Sequence, residues 1–447
     1  MTILHWIFFA IYLSSVRAQT CPLKCQCYLN QTTDCSSKRI FIIPPKTFQS
    51  YSNLLVLRLE DNRLSSLDSD VFSPLINLKR LDLDQNILTS LPGSVFNSLR
   101  DLVVLYLNGN SLTTLPSKIF KNLENLSIIW LHDNRIETLP SDVFEPLINL
   151  KTLSLRNNKI KNLDYNWFKN LSNLEFLALA GNQIPNIPRN TFAGLGNLKN
   201  LSLNGNQLTS IQDQTFSYTP KLEFLWLYDN KIEEIGDNTL YGVSFLRSIS
   251  LHNNKIKKIS SRAFCSLTNL EQLYLDGNML VTLDATLLLS QRRLRMLELQ
   301  DNKLNTISPD LLTPLISLRT FNISGNPLIC DCKLWESWLW WNAHFLDPEA
   351  KCFNPETKIL GNARDQLVNL TCTIEQYNNQ VVTASQALIT AAPLKDKIEK
   401  TCDAKQLAAG CIVLLVIIVV MMVGFFVYIK FYRVPKSSHE MLVPLDA

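Results

Sequence analysis

From about residue 54 to residue 328 the apolar positions recur with a period of 24, without one insertion. A representative period places Leu78, Leu81 and Leu83 ahead of Asn86, then Leu88, Leu91, Phe96 and Leu99 behind it. Leu81 and Leu83 alternate with polar neighbours, the period of a short strand with one buried face. The later apolar residues are spaced for a return segment that closes the period. Twelve asparagines mark the register: Asn62, Asn86, Asn110, Asn134, Asn158, Asn182, Asn206, Asn230, Asn254, Asn278, Asn302 and Asn326. One such unit cannot bury its own leucines. Stacked units bury them against equivalent leucines above and below, and an asparagine leaving each strand can satisfy the backbone groups of the turn.

The pattern L-x-x-L-x-L-x-x-N resembles the leucine-rich repeat. The fold it implies is an α/β solenoid, a curved horseshoe with a concave parallel β-sheet, disulfide-bonded caps and twelve repeats over 52–328. A second apolar column, Phe72, Phe96, Phe120, Phe144, Phe168, Phe192, Phe216 and Phe264, is expected nearer the convex side. Leu240, Leu288 and Leu312 interrupt it and Gln291 replaces the usual next leucine, so looser packing or a bend is expected over Leu283–Arg292.

An open stack needs a cap at each end. Ile43 and Phe48 lie 24 residues ahead of Leu67 and Phe72, which brings an N-terminal cap over 19–51 into register. After the last repeat, "NPLICDCKLWESWLWWNAHF" predicts a helix carrying Leu334, Trp338 and Leu339 across the other end, within a cap over 329–378.

The ends of the chain indicate its compartment. Residues 1–18 read as a signal peptide, apolar and closing on Val16-Arg17-Ala18, although Lys and Arg are absent from its start. Leu407–Ile429 is uncharged and long enough for a hydrocarbon core of about 30 Å. Lys430, Arg433 and Lys436 follow it, which favours a type I plasma-membrane protein with an extracellular N-terminus, a stalk over 379–406, one transmembrane helix and a cytoplasmic tail over 430–447. The tail has no room for a signalling domain. Net charge is only +4 across 447 residues, which argues against nucleic acid as a partner. Cysteines gather in two quartets, Cys21, Cys25, Cys27 and Cys35, and Cys330, Cys332, Cys352 and Cys372. The secretory setting favours disulfides over zinc, and each quartet permits three connectivities.

"CPLKCQC…DC" resembles the N-terminal cysteine-rich flank of extracellular leucine-rich-repeat proteins, and "NPLICDCKLWESWL…C…C" their C-terminal flank, a likeness covering roughly Cys21 to Cys372. The family pattern implies the pairs Cys21–Cys27, Cys25–Cys35, Cys330–Cys352 and Cys332–Cys372. A single pass with a short tail is similar to the branch containing platelet glycoprotein V and leucine-rich-repeat-containing protein 15. The repeats also resemble those of the carboxypeptidase N regulatory subunit, and the N-terminal flank that of variable lymphocyte receptors. That branch implies adhesion, matrix contact or scaffolding.

Strand residues pointing away from the leucines line the concave face. Aromatic and histidine side chains concentrate there as Tyr106, Trp130, His132, Phe176, Phe224, Trp226, Tyr228, His252 and Tyr274, with charged residues toward both ends of the stack. Exposed aromatics with polar neighbours are the anchors that protein interfaces use. The competing reading is that they stack on neighbouring rungs, about 4.8 Å apart, and only stiffen the sheet. Glycosylation acceptors are Asn30, Asn125, Asn170, Asn200, Asn322 and Asn369. Asn200 lies between Phe176 and Phe224, so a glycan there would shield one edge and direct contacts to Trp130, His132, Trp226, Tyr228, His252 and Tyr274.

Catalysis finds no support: no serine or cysteine nucleophile is placed to use His132 beside Asp133, and no metal or cofactor motif occurs. Cys265, just after Phe264, is expected as a free or semi-buried thiol. Cys402 stands just outside the span, where an unpaired cysteine suits an intermolecular disulfide to a partner subunit, and Cys411 lies within the span. The expected function is a cell-surface recognition or adhesion receptor for an extracellular protein or matrix ligand. The alternatives are an innate immune receptor or co-receptor for microbial or glycan ligands, and a structural subunit of a membrane receptor complex.

Overall fold

The computed structural model describes residues 21–28, 31–344, 346, 350–355 and 358–368. The chain divides into two compact units, Met1–Ala384 and Ser385–Ala447, and every described residue belongs to the first. Among the described residues no helix is long and apolar enough to cross a membrane. The signal peptide, stalk, span and tail lie outside them, as do Asn30, Asn369, Cys372, Cys402 and Cys411.

Fourteen short strands form one sheet whose spatial order follows the sequence. Gln26–Tyr28 and Thr32–Asp34 pair antiparallel and open it. From Thr32–Asp34 onward the pairing is parallel, through Val56–Arg58 to Thr320–Asn322, each strand shifted by one period of the sequence. From Val56–Arg58 onward the middle residue of each strand is apolar and faces the core, as with Leu81, Ile129 and Leu225, all at most 1% exposed. The phenylalanine column is fully buried behind the sheet, and its rings stand 6.2–6.3 Å apart from one repeat to the next. Strands in a sheet are separated by only about 4.8 Å. Repeats spaced more widely at the column than at the sheet must curve with the sheet on the inside.

The asparagines do more than close a turn. Asn158 Nδ2 donates to the carbonyls of Leu131, Leu155 and Arg156, and its Oδ1 accepts from Ile136 N–H at 2.9 Å. Each amide therefore ties its own turn to the preceding repeat. The residue before each asparagine is left-handed in all twelve repeats, with φ from 51° at Asn157 to 68° at Gly325. That requirement explains why Asp, Asn and Gly dominate the position, with Gln85 the exception.

A second ladder runs along the outer flank, where Asn77, Asn125, Asn149, Asn173, Asn197 and Asn269 donate to carbonyls 25 residues earlier. At one rim of the sheet, residues just ahead of the strands alternate in charge. Lys199 meets Glu175 at 2.7 Å, and Glu271 lies between Arg247 at 2.9 Å and Arg295 at 3.4 Å. Such exposed pairs add little stability, but they favour correct register.

Three expectations are corrected. The segment Leu283–Arg292 is not loosely packed: Gln291 is 0% exposed, and its Nε2 donates to Phe264 O at 2.7 Å. Only Leu283 is less buried than its counterparts. The cap helix, Cys332–Ala343, turns Leu334, Ser337 and Trp341 inward with Trp338 partly buried, whereas Leu339 stays half-exposed. Ser337 Oγ is accommodated by donating to Ile307 O at 2.7 Å. Cys265 is not a free thiol: it is disulfide-bonded and 9% exposed. Cysteine pairing joins residues far apart in sequence, so the local pattern around Phe264 carried no sign of it.

Both caps are crosslinked as the family pattern implied for Cys21–Cys27, Cys25–Cys35 and Cys330–Cys352. Cys332 is also bonded, and the expected pair with Cys372 reaches outside the described residues. Disulfides of this kind belong to an oxidising, secretory environment.

Candidate ligand-binding face

The nine expected contact residues all lie on the inner face, and all are half-buried. Eight of them form two clusters rather than one continuous aromatic sheet. Nearer the N-terminus, Tyr106 and Trp130 occupy paired positions on adjacent strands and stack at 4.3 Å between centroids, with His132 tilted against Trp130 at 5.4 Å. Nearer the C-terminus, Trp226 stacks on Phe224 at 5.9 Å, Tyr228 on His252 at 4.4 Å, and His252 meets Tyr274 edge-on at 6.3 Å.

Between the clusters run three strands whose central inward residues are Ser154, Ala178 and Ser202. Small side chains leave a saddle there, with Trp130 and Trp226 four strands apart, roughly 19 Å at the usual strand spacing. Phe176 stands alone in this saddle, beside Thr152 and Asn200. Arg156 is exposed on the same stretch. The other acceptor asparagines are dispersed: Asn125 and Asn170 lie on the outer flank, and Asn322 ends the sheet with its Oδ1 accepting from Ser324.

The N-terminal cluster carries a charged network that periodicity alone did not single out. Arg80 Nε donates to both oxygens of Asp82, at 2.9 and 3.0 Å, while its guanidinium lies 4.9 Å over the Tyr106 ring. Arg58 reaches Asp34, Glu60 and Asp82 within 3.7 Å. Asp82 is 1% exposed, and burial outweighs the attraction of Arg80, pushing its carboxyl up to about 6. Burial likewise holds His132 below the usual imidazole range, although Asp133 pulls it the other way.

The C-terminal cluster has a different charge environment. Asp276 and Glu298 flank Tyr274, and burial raises both carboxyls; Asp276 adds to the rise at Glu298, whereas Asp276 itself is raised further by Asp301 and drawn the other way by His252. Among the described residues no lysine or arginine forms an ion pair with either. His132 Nε2 lies 3.8 Å from Asp133 Oδ2, a contact too long for a hydrogen-bonded catalytic pair.

The leucine-rich repeat profile matches residues 35–86, 76–136, 124–184, 179–232 and 225–280, more than half of the chain. The chain belongs to the leucine-rich repeat family. Two further strands, Met296–Glu298 and Thr320–Asn322, continue the same sheet beyond the matched residues. No curated protein sequence matches the chain.

Among solved structures, a leucine-rich-repeat protein of Leptospira interrogans is 28% identical with a TM-score of 0.61, covering 69% of this chain and 81% of its own. Toll in the Drosophila Toll–Spätzle complex is 22% identical with a TM-score of 0.62, covering 75% of this chain and 54% of its own. TLR13 in complex with ssRNA13 is 24% identical with a TM-score of 0.53, covering 72% and 54%. The chain thus spans about half the length of those two receptor chains, and the likeness to them is one of fold.

Proposed function

We propose that this leucine-rich-repeat chain is a cell-surface recognition or adhesion receptor that holds an extracellular protein or matrix ligand on its inner face. The observation that carries the proposal is the pair of half-exposed aromatic clusters, Tyr106–Trp130–His132 and Phe224–Trp226–Tyr228–His252–Tyr274, facing the same way on a curved sheet. Half-exposed tryptophan and tyrosine supply large contact area at small entropic cost. The saddle between them gives a ligand two separated anchor points rather than one flat patch.

The apolar Leu407–Ile429 segment supplies the membrane anchor in this reading. The resemblance to single-pass adhesion members such as platelet glycoprotein V supports it. Signalling then belongs to a partner, and no catalysis is invoked. Proximity labelling by the full chain on cells, followed by capture of the labelled proteins on purified chain, identifies the ligand. A ligand captured equally well after Trp226→Ala with Tyr228→Ala contradicts the proposal.

A further inference from the structure

The two ends of the inner face share one arrangement of ring and carboxylate. At the N-terminal end Asp82 and Tyr106 are paired across adjacent strands. At the C-terminal end Tyr274 and Glu298 are paired across adjacent strands in the same way. What differs is the cation. Arg80, two residues before Asp82, bridges the N-terminal pair by donating to the carboxylate and covering the ring. The position two residues before Glu298 is Met296, and the one two before Tyr274 is Gln272. Neither carries charge, and no other basic side chain among the described residues forms an ion pair with Glu298 or Asp276.

The rest of the C-terminal cluster favours the same missing partner. Asp276 lies two residues beyond Tyr274 on the same face, and neighbours His252 one rung away. Tyr228 and His252 stack face to face, and Trp226 lies two residues before Tyr228 in the same repeat. A cation set between aromatic faces and carboxylates gains from both. Burial first, and then the nearby Glu298 and Asp276 carboxylates, hold the Tyr274 hydroxyl above its usual range.

We infer that the C-terminal cluster accepts a basic side chain of the protein ligand, a lysine or arginine seated against Tyr274 and its neighbouring rings and held by Glu298 and Asp276. The inference rests on the inner face being the ligand-binding face. It names the chemistry of one of the two anchor points: the ligand supplies at this end the cation that Arg80 supplies at the other.

The test uses the purified full chain and two short probe peptides, one alternating glycine with arginine and one alternating glycine with glutamate. The arginine peptide should bind in preference to the glutamate peptide. Asp276→Asn with Glu298→Gln should weaken it about tenfold or more. Glu60→Gln with Asp84→Asn removes the same formal charge from the same face and should change it less than about twofold. Met296→Arg, at a half-buried position, installs an arginine in the register of Arg80 and should block the peptide with both carboxylates intact. Equal weakening by the two neutralising pairs, or undiminished binding to Met296→Arg, overturns the inference. So does a wild-type chain that captures its ligand through Trp226 and Tyr228 yet shows no preference for the arginine peptide, and that outcome leaves the inner-face reading standing.

Discussion

Tyr228 and His252 stack with centroids 4.4 Å apart and planes within 9°, on neighbouring repeats of the sheet. Their spacing is close to that of the strands that carry them, so the stack follows directly from the repeat. Such a pair contributes about 0.5–1.5 kcal/mol. Tyr228→Ala should therefore lower stability in urea denaturation by only about 1 kcal/mol. A loss of several times that amount would show that the inner-face aromatics are chiefly structural.

The asparagine ladder should be far more sensitive. Asn158→Ala strands the Leu131, Leu155 and Arg156 carbonyls and the Ile136 N–H in a buried turn. A buried polar group left without a partner costs about 1–3 kcal/mol, so a loss of about 3 kcal/mol or more is expected. Hydrogen exchange should locate the lost protection at Ile136 and the adjoining repeats rather than across the whole stack.

Asp82 gives a pH signature. Its carboxyl is raised from 3.8 to about 6 in the folded chain, so the folded state holds a proton across that window and the unfolded state does not. The stability associated with the proton is full below the lower value and is lost as pH rises through the upper one. Arg80, Arg58, Glu60 and Asp84 surround the group and set the size of the effect. Relative to Asp82→Asn, wild type should lose on the order of 2–3 kcal/mol between pH 4 and pH 7, measured by denaturation at each pH. A pH-independent difference between the two proteins would contradict the raised carboxyl.

Asn200 faces inward between Phe176 and Phe224, in register with both. A glycan there should screen the saddle edge and leave Trp130, His132, Trp226, Tyr228, His252 and Tyr274 as the accessible contacts. Peptide mapping by mass spectrometry of ligand-competent protein should find Asn200 modified. An unmodified Asn200 removes the reason for preferring that edge.

Much of the fold was legible because every repeat restates the same constraint. Asn62 to Asn326 and Phe72 to Phe264 each had neighbours at the same phase, so one strand's orientation fixed the others. The sequence was less informative wherever a polar side chain occupied an apolar position. Ser337 hides the true phase of the cap helix because its hydroxyl is satisfied by Ile307, and Gln291 fills its column by bonding to Phe264. At the inner face, periodicity told which residues point inward but not how they meet. Arg80 over Tyr106 depends on side-chain conformation, and the saddle at Ser154, Ala178 and Ser202 depends on residue size along three strands together. The left-handed residue before each asparagine was visible as a run of Asp, Asn and Gly, yet its backbone cause emerges only from the geometry.

The central claim is that the aromatic inner face holds the ligand, and the double substitution Trp226→Ala with Tyr228→Ala tests it most directly. Both side chains are half-buried, so the variant should keep its circular dichroism spectrum and melt close to wild type. Surface plasmon resonance against the captured ligand should show affinity falling at least about a hundredfold, the loss of about 3 kcal/mol expected for two central aromatic anchors. Unchanged affinity in the folded variant would contradict the account.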